Sequence, residues 1–296
     1  MIERATLYLL GMSEGTKSDD TAIDPVVDEH GNLLPHLRHD YDGRCWWCGE
    51  LADSREHKHK KREVSRQFGS GPYRGDNAVI RGSFGEPRQF IVQGPNSDQL
   101  KFTKVLCATC NSSRSQKADQ AFDELSDYIA EHDERLLRAR RFRWSDVFPQ
   151  RNWRDGRNLV TAYWLKHIGC RLAEGGIEVP PEFGAYLDAP LSDLRPVPVR
   201  MELTICENVA NVHQALPAED RGSFWLGDLA SSYSRSQGRA TEAGSFWGQG
   251  WLFLRYHYNV AQCQWPVDRP CRWQGLLQAG GQQISLLAAI WGGRVR

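Results

Sequence analysis

Four cysteines fall into two Cys-x-x-Cys pairs, Cys45-Trp-Trp-Cys48 and Cys107-Ala-Thr-Cys110. A two-residue gap lets both sulfurs of a pair approach one ion, and two such pairs close a tetrahedral site in which zinc keeps no open position. The expected role of that Zn2+ is structural: it pins together two segments far apart in the chain. Eight residues after Cys48 stands Glu56-His57-Lys58-His59-Lys60-Lys61, and Asn111 directly follows Cys110. An acid, an imidazole and a carboxamide are the parts needed to hold one divalent cation and activate a water beside a phosphate. Glu56 and Asn111 offer hard oxygens suited to Mg2+ or Mn2+, and the His57 imidazole titrates close enough to neutral pH to take a proton from water. His59 has two readings. On an extended strand residues i and i+2 share a face, which would set it beside His57 at the metal or scissile phosphate; the preferred reading makes it a phosphate-binding surface residue.

The arrangement Cys-x-x-Cys, acid-His-x-His, Leu-Cys-x-x-Cys-Asn resembles the HNH (ββα-metal) endonuclease superfamily. The similarity is to its zinc-containing branch, which includes phage endonucleases that resolve branched DNA, and to bacterial HNH defence nucleases. It covers about Cys45 to Tyr128, under a third of the chain. The resemblance implies that Glu56 and Asn111 bind the catalytic metal, that His57 is the general base, and that the four cysteines hold structural zinc. It also implies cleavage or nicking of DNA and, by analogy, a place in anti-phage defence with partner proteins of such a system. Where the family commonly has Ile or Val and Pro after the acid-His pair, this chain has Lys58-His59-Lys60; the middle asparagine that orients the loop falls to Asn77 or Asn96.

These residues need elements to position them. Within the long insertion between the cysteine pairs, 78–81 and 89–92 read as two short strands around the turn-rich 82–87, a hairpin arm. After Cys110, apolar residues at helical spacing from Ala118 to Arg138 predict a helix broken near His132. A second helix is expected from about Asp155 to Ala173, with Val160, Trp164 and Ile168 on one face and Gly175-Gly176 as its stop. The remainder has strand-like runs at 199–206, 246–258 and 284–290. The fold class is α+β: an N-terminal extension over 1–40, a nuclease domain with flanking helices over 41–176, and a strand-rich domain over 177–296. The six tryptophans of that last region read as core rather than base-stacking residues.

The 296 residues carry no net charge, with 37 basic and 37 acidic side chains. The distribution is uneven: from Ser54 to Arg74 seven basic residues face two acidic ones. Lys58, Lys60, Lys61, Arg62 and, further on, Arg114 are the expected contacts to a DNA backbone, which give affinity without sequence preference. No apolar run is long enough to cross a membrane and the start does not read as a secretory signal, so a cytoplasmic protein with reduced thiols is expected. The competing reading is a non-catalytic zinc-knuckle module that binds DNA or a protein.

Overall fold

The computed structural model describes residues 34–75, 78–81, 90–139, 141–189, 197–217, 221–234 and 237–259. Among these, the fold is mixed α+β, and its central element is a 22-residue helix, α6 (Trp153–Glu174), begun by Asn152, whose side chain accepts from the Arg154 N–H. Sequence spacing predicts one apolar face on this helix. The structure instead buries residues all round it, polar Asn158, Lys166 and His167 among them. A helix enclosed on every side is what results when other elements cover both its faces.

One cover is helical. α3 (Gln116–Glu131) and α4 (Asp133–Ala139) are separated at His132, where the sequence predicts the break. Phe122 of α3 stacks on Tyr163 of α6 at 3.9 Å between ring centroids. The short α5 (Trp144–Val147) and α7 (Pro181–Asp188) also pack on α6.

The other cover is an antiparallel sheet. β3 (Arg200–Ile205), β7 (Leu252–Asn259), β6 (Arg239–Gln249) and β4 (Phe224–Leu226) lie in that order, with β5 (Ala230–Ser234) also paired to β6. The expected single run over 246–258 is two strands: Gln249 pairs Leu252 across a two-residue turn in which Gly250 has a φ of +56°, a left-handed backbone that glycine adopts freely. Alternation along β7 sends Leu252, Leu254 and Tyr256 inward. Behind β3 runs α8 (Glu207–Ala215).

The hairpin arm forms as the sequence predicts, from β1 (Val79–Arg81) and β2 (Phe90–Val92) in antiparallel register. α1 (Lys61–Phe68), which the sequence reading does not anticipate, precedes it. Residues 1–33 of the N-terminal extension, the turn at 82–87 and the strand expected at 284–290 lie outside the described residues. No described helix is long and apolar enough to cross a membrane.

The C-terminal half of α6 lies directly on the first cysteine pair. A Cβ built on Gly169 would fall 2.5 Å from the Trp46 ring, well inside van der Waals contact. Gly169→Ala is expected to destabilise the chain by about 1–3 kcal/mol, the cost of overpacking a close contact. Urea unfolding measures it, and an unchanged midpoint would show that Trp46 moves aside freely.

Candidate functional site

The four cysteines come together. Their sulfurs all lie within 4.8 Å of one another, with Cys45, Cys107 and Cys110 buried and Cys48 exposed. Each pair is shaped by its own turn. In the first, the Gly49 N–H returns to the Cys45 carbonyl and the Cys45 N–H reaches the Glu50 carbonyl, with Gly49 at a φ of +77°. In the second, Cys107 caps the four-residue helix α2 (Ala108–Asn111), its sulfur accepting from the Cys110 N–H at 3.4 Å. The Trp46 N–H donates to the Val105 carbonyl at 3.1 Å, tying one turn to the other.

Four sulfurs this close cannot all be negative without a cation among them, and burial pushes the Cys45 and Cys110 thiols above the ordinary cysteine range. A divalent ion such as zinc reverses that balance by binding all four as thiolates. The donor set therefore fits a structural Zn2+. Arg114 belongs to this centre: its guanidinium lies 3.4 Å from the Cys110 sulfur, 2.6 Å from Asp188 and over the Trp47 ring.

From the cluster the chain runs in two extended segments paired antiparallel, with bridges Ser54↔Leu106 and His57↔Lys101. The Phe102 N–H donates to the Glu56 carbonyl at 2.9 Å and the Lys58 N–H to the Leu100 carbonyl at 2.7 Å. Asp53 accepts the Ala108 N–H at the start of α2. The Asn111 amide nitrogen donates to Ser54 Oγ at 2.9 Å, and its oxygen is buried with no partner among the described residues.

Glu56, 7% exposed, meets Lys166 of α6 at 3.1 Å. Burial pushes its carboxyl up while Lys166 holds it back. Burial alone would lower Lys166 too, but Glu56 and Asp119 outweigh it and keep the ammonium charged. The His57 ring is partly buried, with Nε2 lacking a partner among the described residues. Burial first, then the nearby Lys101, pulls its pKa below the usual histidine value, with a hydrogen bond to Asn96 acting the other way. Asn96 thus reaches the histidine from the loop where the sequence reading looks for an orienting asparagine; Asn77 lies outside the described residues.

His59 takes neither of its expected positions. The chain bends after Lys58 to enter α1, and the His59 ring, 5% exposed, packs 4.7 Å from Phe224 and 5.5 Å from Trp247. It is a core aromatic rather than a phosphate ligand or a partner of His57. Most of the expected backbone cations are also engaged internally. Lys58 pairs with Glu174 at 3.2 Å, Lys60 with Asp123 at 2.8 Å, and Arg62 with Asp127 at 2.7 Å. Lys61 is exposed at the start of α1.

Sequence reasoning missed Lys166, Asp119 and Ser115. The available signal was a lysine inside the apolar run Trp164-Leu165-Lys166-His167-Ile168, a position that burial forbids without partners. Comparisons with protein-family models, with curated proteins and with solved structures return no match to this chain.

Two measurements follow from this geometry. One Zn2+ per chain is expected by elemental analysis, and Cys48→Ser should lose most of it and destabilise the fold on the order of 4 kcal/mol. Wild-type stability in that variant would remove the metal from the fold. The second concerns His167, whose Nε2–H donates to the Lys58 carbonyl at 2.9 Å and whose pKa burial lowers from 6.5 to about 4. A depressed histidine stays neutral in the folded chain while the unfolded chain takes up a proton. Stability is therefore full above pH 6.5 and falls through the window down to pH 4, by about 3 kcal/mol in all. His167→Gln keeps the donor without the titration, and urea unfolding at pH 7 and 4.5 should show that share of the loss disappear.

Proposed function

We propose that this chain is a metal-dependent endonuclease of the HNH type that hydrolyses phosphodiester bonds in DNA. The observation that carries this reading is a pair of unsatisfied groups. His57 Nε2 and Asn111 Oδ1 are both buried without partners among the described residues, on segments that the cysteine cluster binds together. They are two of thirteen buried side-chain N and O atoms without partners among the described residues, and they are a pair whose chemistry suits a proton acceptor and a metal ligand.

In this reading His57, kept neutral by burial and by neighbouring lysines, accepts the proton of the attacking water. Asn96 orients its ring. Glu56 and Asn111 are hard-oxygen donors for Mg2+ or Mn2+, which supplies positive charge to the phosphorane and the departing oxygen. Ser54 engages the Asn111 amide nitrogen, which leaves the buried oxygen as the atom available to a metal. Lys61, exposed at the start of α1 with its charge reaching His57, is the cation best placed for the scissile phosphate, whereas Lys101 pairs with Asp98 at 3.7 Å.

A second reading is a zinc-stabilised module that binds DNA or a protein without cutting; the internal pairing of Lys58, Lys60, Arg62 and Arg114 favours its protein-binding form. Supercoiled plasmid separates the two. Incubation with Mg2+ or Mn2+ should nick or linearise it, EDTA should stop the reaction, and His57→Ala should slow it by about 100-fold or more with zinc content unchanged. A wild-type chain that shifts plasmid on a gel but never cuts it would establish the second reading.

A further inference from the structure

Lys166 is 1% exposed at the middle of α6. Its Nζ lies 3.1 Å from Glu56 Oε2, 3.2 Å from each oxygen of Asp119 and 3.2 Å from Ser115 Oγ. Two carboxylates and a hydroxyl thus set four oxygens at nearly equal distances around one positive nitrogen. An ammonium has three N–H donors, one fewer than these oxygens. Carboxylate and hydroxyl oxygens in such number are the surroundings that hard divalent cations take. The cage is made from three elements: the Glu56 segment, the start of α3 and the centre of α6. Ser115 also donates to Asp119 Oδ2 at 2.7 Å, which fixes that carboxylate toward the nitrogen.

Beside it, Lys60 reaches the Asp119 carbonyl at 2.7 Å and Asp123 at 2.8 Å, over the rings of Phe122 and Tyr163. Well-packed apolar residues of similar volume often stabilise a core as well as a buried ion group of this kind.

We propose that Lys166 is the resident cation of a hard-oxygen cage and that it governs how tightly a divalent ion can share Glu56. A second cation on the same carboxylate meets the ammonium's repulsion where solvent screens little. Divalent binding at Glu56 and Asn111 is then weak and exchangeable. The proposal rests on the nuclease reading for what that ion does; the cage itself stands on the distances alone. Lys166, 1% exposed, acts through Glu56 and is a positioning residue.

The test uses the zinc-loaded full chain and Mn2+ alone as probe, followed by electron paramagnetic resonance and calorimetry. Two variants are compared with wild type: Lys166→Met, and the double change Lys166→Met with Asp119→Asn, which removes one charge of each sign and leaves Glu56 in place. Both should bind Mn2+ at least about tenfold more tightly than wild type, equivalent to 1.4 kcal/mol. Millimolar Mn2+ should raise the Tm of Lys166→Met and leave that of wild type unchanged. Folded variants that bind Mn2+ no more tightly than wild type overturn the proposal. So do variants that fold neither with nor without Mn2+, since a cage of this chemistry accepts manganese in the ammonium's place. If wild type neither binds Mn2+ nor cuts DNA while the variants take an ion, the nuclease reading fails and the cage stands. If wild type cuts with Mn2+ and the variants bind it equally, the reverse holds.

Discussion

The attraction between the Lys166 ammonium and the Glu56 and Asp119 carboxylates is the constraint on which the arrangement of the site depends. It joins the extended segment that leaves the first cysteine pair to the two longest described helices, α3 and α6. None of these groups can be buried singly, because an unpaired charge in the interior costs several kcal/mol (on the order of 3–5). The three segments must therefore arrive together or not at all. One residue along α6, His167 donates to the Lys58 carbonyl, and two residues further Gly169 leaves room for Trp46. A single stretch of helix thus meets the Glu56–Lys58 segment twice and the first cysteine turn once.

The cysteine cluster acts at the other end of the same segments. It sets the spacing between Ser54 and Asn111, and the antiparallel pairing that follows sets where Glu56 and His57 fall. The cluster joins two turns whose Cys48 and Cys107 are 59 residues apart, whereas the ion pairs work across the core. The two constraints meet at Ser115 and Asp119, a few residues beyond Asn111 on the same strand-to-helix path.

How much of this could be read from the sequence follows from the range of each interaction. The cysteine pairs were legible because the two-residue gap is itself the geometric requirement. Helices α3, α4 and α6, and the β1–β2 arm, were legible because periodicity and turn residues are local. His59 was not, since its surroundings come from Phe224 and Trp247, far along the chain. The pairing of Lys60 with Asp123 and of Arg62 with Asp127 was hidden for the same reason: a basic run looks identical in sequence whether its partners are phosphates or carboxylates on a distant helix. The single strand expected over 246–258 missed only the turn at Gly250, where continuous apolar and aromatic residues mask a reversal.

The Trp247 indole N–H reaches the Lys58 carbonyl across 189 residues of chain. During synthesis both cysteine pairs leave the ribosome long before that tryptophan exists, so a metal can fasten the early turns while the Lys58 carbonyl has its His167 donor but not yet its indole partner. β6 and β7 then close over a segment already tethered. Pairing over so long a separation is slow to form, and until it does the apolar faces that β6 and β7 cover stay open to association with neighbouring chains.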